Sequence, residues 1–245
     1  MTREELAPYI DYTLLAPQAG IREIVMLCQE AKKYHFASVC VNPVYVSAAF
    51  DELKDTGVKV CTVVGFPLGA TTTKAKIAES VDAIENGADE IDMVINIGAA
   101  KDGRFTEVGS DILGVVTACK EAGKKHGKKI TVKTILETCL LEDNAIVNCC
   151  LCAKKAGADF VKTSTGFANP KGADGKALPN GASVHHVSLM RKTVGDDMGV
   201  KASGGIRDAQ TVISMLEAGA NRIGTSSGTK IIENWDEKIT VNNKY

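Results

Sequence analysis

The sequence carries almost no excess charge of either sign. Its 29 Lys and Arg face 30 Asp and Glu, for a formal net charge of -1. The charges are mixed along the chain, which argues against a nucleic-acid or membrane surface as the partner. No run is apolar enough to span a bilayer, and the opening MTREELAPYIDYTLL has no signal-peptide core. A cytoplasmic protein is the default expectation. No low-complexity tract or linker divides the chain. There are four histidines, at positions 35, 126, 185 and 186, and none falls at the end of a candidate strand. That spacing gives no reason to expect a catalytic metal.

Eight cysteines are present, and in a reducing compartment they read as free thiols. Cys149, Cys150 and Cys152 resemble a metal cluster at first sight. They fall on a helical pattern without C-x-x-C spacing or a nearby histidine, so they are expected to pack as small hydrophobes.

Short apolar runs alternate with helical periodicity. Candidate strands cover Tyr9–Thr13, Ala37–Asn42, Val58–Val64, Glu90–Ile95, Ile130–Leu136, Asp159–Thr163, Gly199–Ala202 and Arg222–Gly224. Several are nearly continuous apolar stretches, as parallel strands covered on both faces should be. Ile21, Ile24, Val25 and Cys28 form one helical stripe, and Ile206, Ala209, Val212, Ile213 and Leu216 another. Eight β-then-α units in 245 residues predict an α/β fold: a single (β/α)8 TIM barrel over 1–245 with an extra N-terminal segment. A doubly wound open sheet is the alternative, but no Gly-rich fingerprint follows the first strand.

Three glycines, Gly87, Gly157 and Gly219, each stand just before a strand, where each can end a helix in a left-handed cap. Five residues later come Asp92, Lys162 and Gly224, which should be equivalent positions. His35 stands where the same pattern expects a glycine. The stretch Ala168–Ala182, rich in Gly and Pro, reads as a long βα loop on the active-site face. Thr240–Tyr245 reads as a frayed tail.

Asp92, Lys162 and Lys201 place charge where apolar residues are expected. Alternation along a strand puts Lys162 on the face of Phe160 and Ser164, Lys201 with Gly199 and Ser203, and Asp92 with Glu90 and Val94. If those faces point inward, two lysines and an aspartate meet at the C-terminal mouth of the barrel. A lysine is nucleophilic only as the free amine, and burial or a second cation favours that form. Lys162 and Lys201, on neighbouring strands, are a candidate pair, with Asp92 to move protons. A buried ion-pair cluster without chemistry is the competing reading. Lys133 is a rival nucleophile. It lies earlier in its strand, and is read as a partner for a carboxylate. Asp11 and Thr13 either extend a proton relay or form an ordinary strand end.

Ser203-Gly204-Gly205-Ile206-Arg207 follows the seventh strand and is expected to open a helix. Gly224-Thr225-Ser226-Ser227-Gly228 follows the eighth. Glycines, free N–H groups and hydroxyls suit a phosphate, and barrels often bind one with these two loops. Two tight turns without a ligand would look similar. Thr165 and Gly166, just past Lys162, are further candidates.

The stretches ADFVKTSTGF, VKASGGIR and GADEIDMVI, together with YIDYTLL and ASVCVNP, resemble the deoxyribose-phosphate aldolase family. The match runs in order from about Tyr9 to Gly228. The resemblance implies a class I aldolase without metal or cofactor that reversibly cleaves 2-deoxy-D-ribose 5-phosphate to D-glyceraldehyde 3-phosphate and acetaldehyde. It implies Lys162 as the Schiff-base lysine, Lys201 as its perturbing partner and Asp92 as proton donor and acceptor. It also implies a phosphate held by Gly204, Gly205, Arg207, Gly224, Ser226 and Ser227. A Schiff-base or transaldolase-like enzyme on another small sugar phosphate, and a non-catalytic phosphosugar-binding barrel, are the alternatives. The loop after Gly166 is longer than in short family members. The terminal Tyr245 matches members that also end in tyrosine. Assembly as a homodimer or a higher homo-oligomer is left open, as is the sensitivity of Cys40 to aldehydes.

Overall fold

A computed structural model describes residues 1–238 and 241. Eight parallel strands close in sequence order into a barrel: β1 (Ile10–Leu14), β2 (Ser38–Val41), β3 (Lys59–Val64), β4 (Glu90–Val94), β5 (Thr131–Ile135), β6 (Phe160–Lys162), β7 (Gly199–Ser203) and β8 (Arg222–Thr225). The predicted strands are all present, with ends differing by at most one residue. The helices are α1 (Arg3–Leu6), α2 (Ile21–Tyr34), α3 (Val46–Leu53), α4 (Thr73–Glu85), α5 (Ile97–Lys101), α6 (Phe105–Lys125), α7 (Asp143–Ala156), α8 (Val184–Val194), α9 (Ala209–Glu217) and α10 (Gly228–Glu233). At least one helix follows every strand. None in the described residues is long and apolar enough to cross a membrane.

The extra N-terminal segment is α1. It is held by a capping box between Thr2 and Glu5, and its Leu6 is buried. The indole of the buried Trp235 donates to the Met1 carbonyl at 2.9 Å, tying the start of the chain to the stretch after α10. The proposed roles of Thr240 and Tyr245 lie outside the described residues, whereas Val241 packs against the core.

Two different interiors result from strand alternation. Outward residues such as Ile91, Met93, Val132, Val161, Val200 and Ile223 join Ile112, Val116, Cys149 and Cys150 from the helices in one large apolar core. Burial of this surface is the main force holding helices to sheet. All eight cysteines are free, and Cys149, Cys150 and Cys152 do lie on a helix, with the first two buried. Inside the barrel, Leu15, Cys40, Cys61 and Val63 form an apolar group with Phe66 against it, and Val94 and Ile135 are further buried apolar residues on inward faces. Much of the remaining interior is charged.

The glycine pattern before the strands holds. Gly87, Gly157 and Gly219 have φ of 114°, 76° and 107°, and His35 takes the same left-handed region with φ 56°. The expected equivalence five residues later is corrected by the register. Asp92 pairs with Lys133, and Lys133 with Phe160, while Lys162 pairs with Ile135 and Lys201. Crossing two strands therefore advances the register by two residues, because strands in a closed barrel tilt and stagger. Lys162 stands nearer the mouth than Asp92 does, and its long side chain reaches back.

Candidate active site

Asp92 is the hub of the barrel interior. Its Oδ2 accepts from Lys162 Nζ and from Lys201 Nζ, each at 2.8 Å. Its Oδ1 accepts from Lys133 Nζ at 2.9 Å and from the Cys61 thiol at 3.2 Å. Asp11 forms the second node. It pairs closely with Lys201 through Oδ2, and its Oδ1 accepts from Ser38 at 2.7 Å and from Arg222 at 2.6 Å. Glu90 is the third, pairing closely with Lys133 and accepting from Arg222 at 3.2 to 3.3 Å. Beneath them the Arg222 guanidinium lies 5.4 Å from the Phe160 ring centre, and that ring fills the space a side chain at position 199 would need.

The electrostatics follow from this packing. Burial alone would raise the Asp92 carboxyl, but Lys133, Lys162 and Lys201 overcome it and hold the group well below the carboxylate range. Burial likewise opposes the charge on Asp11, and Lys201, Arg222 and Lys133 outweigh it in the same direction. Burial would strip the proton from Lys201 and from Lys133. Asp11 and Asp92 hold Lys201 well above the usual lysine value, and Asp92, Cys61 and Glu90 do the same for Lys133. Four cations (Lys133, Lys162, Lys201, Arg222) face three carboxylates (Asp11, Glu90, Asp92) in this cluster. One positive charge is in excess.

Above the cluster opens a cavity of about 470 Å³ at the C-terminal ends of the strands. Its walls come from the β1 loop, the segment after β6, and the loops after β7 and β8. Of the three lysines, Lys162 alone reaches the wall. Thr13, Thr165, Gly166, Gly204, Gly205, Arg207, Gly224 and Ser226 also line it. Gly204 and Gly205 have φ of 85° and 79°, in the region that disfavours side chains. Their N–H groups have no acceptor among the described residues. The end of the long loop is pinned there: Ala182 N–H donates to the Gly204 carbonyl at 3.1 Å, and Gly181 leaves no room for a side chain against that peptide.

Several sequence-predicted residues sit differently than expected. The SGGIR stretch does not open a helix. α9 begins at Ala209 with Asp208 as its N-cap, so the free donors belong to a glycine turn. Ser227 is not on the cavity wall, and its N–H is taken by Thr225 Oγ1 at 2.9 Å. Gly224 lies within β8, and a methyl group there would meet Lys201 Cε at 3.1 Å. Its smallness makes room for the lysine. The Thr13 hydroxyl donates to the Asp11 main-chain carbonyl at 2.9 Å and not to a carboxylate. Lys133 lies deep, among carboxylates, as its earlier strand position suggested.

Cys61, Glu90, Arg222 and Glu137 were not singled out from the sequence. The first three are inward positions of their strands, and period-two alternation from Asp92 or Gly224 marks Glu90 and Arg222. Cys61 pairs with Cys40 in the β2–β3 register. Burial pushes the Cys61 thiol up. Glu137 carries no sequence signal. It is left-handed with φ 57°, buried, and accepts from the N–H and, closely, from the hydroxyl of Thr165.

Residues 8–234 match the model of the DeoC/LacD family aldolase. A deoxyribose-phosphate aldolase of Caldanaerobacter subterraneus subsp. tengcongensis is 53% identical over 233 residues, covering 95% of this chain and 94% of that protein. The crystal structure of a putative deoxyribose-phosphate aldolase from Coccidioides immitis superposes with a TM-score of 0.84 at 41% identity, covering 95% of this chain and 86% of the other. A tetrameric deoxyribose phosphate aldolase from Aeropyrum pernix also gives a TM-score of 0.84, at 34% identity over 97% of this chain and 94% of its own. The chain belongs to the DeoC/LacD family of aldolases.

Proposed function

We propose that this chain is a class I aldolase that reversibly cleaves 2-deoxy-D-ribose 5-phosphate to D-glyceraldehyde 3-phosphate and acetaldehyde, with Lys162 as the Schiff-base nucleophile. The observation that carries the assignment is that Lys162 alone joins the charge cluster to the cavity. Loss of one proton from the four-cation, three-carboxylate cluster leaves it neutral. Lys162 is the member from which that proton reaches solvent most directly.

The free amine attacks the substrate aldehyde carbon, and loss of water gives an iminium that restores the positive charge. As the C2–C3 bond breaks, its electron pair flows into the iminium, while the C3 hydroxyl gives up its proton and becomes the aldehyde of the departing triose phosphate. The remaining enamine takes a proton on carbon, and hydrolysis releases acetaldehyde and the amine. Asp92 touches both Lys162 and Lys201 and so links the reacting nitrogen to a stored proton. Asp11, itself held by Arg222, anchors Lys201 from below. The Gly204–Gly205 turn, with Gly166, Arg207 and Ser226 on the same wall, receives the phosphate. A cavity of about 470 Å³ accommodates a five-carbon sugar phosphate.

Incubation with acetaldehyde and borohydride should leave a stable adduct on Lys162, located by peptide mass spectrometry, and Lys162→Ala should neither form it nor turn over. An adduct on Lys133 or Lys201 instead would sink the assignment. Faster turnover with a donor other than acetaldehyde would favour a transaldolase-like or other sugar-phosphate activity. The tetrameric Aeropyrum pernix relative supports self-association of this cytoplasmic enzyme, which light scattering on the eluted protein measures.

A further inference from the structure

A second cluster of metal-ligating side chains lies on the outer ring of helices, and none of its members lines the cavity. Asp143 is the first residue of α7, and His185 and His186 are in the first turn of α8. His185 Nε2 lies 2.9 and 2.8 Å from the two Asp143 oxygens. The two imidazole centres are 5.3 Å apart, with the rings inclined at 55°. One ligand atom from each of the three residues falls within 4.8 Å of the others. His186 Nδ1 is buried without a hydrogen-bond partner among the described residues, an unsatisfied state that interiors rarely tolerate.

We propose that Asp143, His185 and His186 form a three-ligand site for a divalent transition metal of the zinc type, with a fourth position open to water. Two imidazoles on a tetrahedral zinc, with bonds of about 2.0 to 2.1 Å, place their ring centres about 5 Å apart. The observed spacing is close to that. The carboxylate must move outward by about half an ångström to reach the tetrahedral edge, since bonds of that length separate ligand atoms by about 3.3 Å. Both His185 and Asp143 are exposed enough to do so, with side-chain exposures of 64% and 54%. The positive ends of two helix dipoles oppose a cation here, and the Asp143 charge offsets them. A metal at this place would tie α7 to the start of α8. That is where the chain emerges from the long loop pinned to Gly204.

Titration of the whole chain with zinc chloride in the calorimeter, with a phosphine reductant present, tests the site. One saturable equivalent is expected, weakened at least about tenfold by His185→Ala, by His186→Ala and by Asp143→Asn, since each removes one of three ligands. Cobalt(II) should give visible d–d bands without the intense near-ultraviolet charge transfer of a thiolate. That distinction matters because Cys40, Cys61 and Asp92 also lie within 4.8 Å of one another. Thiolate bands, binding unchanged in the three variants, or no saturation up to about 1 mM zinc would each overturn the proposal.

Discussion

Two lysine clusters are buried among the described residues, and in only one of them does a lysine itself line a cavity. Between α4 and α6, Lys76 is fully buried and meets Asp111 at 2.5 Å, with Thr73 donating to the other oxygen at 2.7 Å. There one cation meets one carboxylate, and the charge is balanced. In the barrel, four cations meet three carboxylates, and one lysine reaches solvent-accessible space. Burial alone therefore does not make a lysine a nucleophile. In the mechanism proposed for Lys162, excess charge and access to the cavity do.

The sharpest break of that comparison is to remove each lysine in turn. Lys162→Ala should lower kcat by about 10⁴-fold or more, as loss of a covalent nucleophile does, while the melting temperature falls little or rises. Lys76→Ala should do the reverse. It strands Asp111 and should destabilise the fold by about 3–5 kcal/mol, with kcat of the folded fraction unchanged. Equal effects of both variants on kcat would erase the distinction between the clusters.

Asp92→Asn removes the hub and leaves the barrel with four cations against two carboxylates. Denaturant melts should show a loss of about 3 kcal/mol or more, and kcat should fall by about 10²–10⁴-fold. A variant that keeps near-normal turnover would take Asp92 out of the proton path.

The pH dependence of stability separates balanced from unbalanced charge without mutation. Asp92 and Asp11 are held below their ordinary values when folded, so the unfolded chain binds protons first as pH falls. Their contribution is complete above about pH 4, the ordinary carboxylate value, and declines as acid is added below it. Lys133 and Lys201 are held above theirs, so their contribution is complete below about pH 10.4 and is lost at higher pH. Thermal melts should show a plateau between these limits. A maximum confined to one narrow pH would contradict it.

The smallest effect is expected at Glu137, which touches neither Lys162 nor Asp92. Glu137→Gln keeps the size of the group but weakens its acceptance of two donors from Thr165. KM for the phosphorylated substrate should rise several-fold with kcat nearly unchanged. A fall in kcat with KM constant would give Glu137 a part in the chemistry.

Much of this architecture was readable in one dimension. Charges at Asp92, Lys162 and Lys201 interrupt apolar strands, and period-two alternation places all three on inward faces. Other parts were not readable. Glu137 faces Thr165 because a left-handed residue turns the chain after β5, and nothing in the local sequence demands that conformation. The free N–H groups at Gly204 and Gly205 come from a turn, because Asp208 caps the helix later than the glycine pair suggested. The identical count from glycine to Asp92, Lys162 and Gly224 implied one level in the barrel, and strand stagger set them at different heights.

The sequence by itself determined eight βα units and the inward placement of three charges, because periodicity and side-chain alternation are local properties. Only the tertiary structure decided that one cation is in excess and that Lys162 is the lysine at the cavity. That choice depends on how many carboxylates lie within reach of each ammonium and which one opens to a cavity. Both are set by contacts such as Arg222 with Glu90 and Lys201 with Asp11, which join residues far apart in the chain.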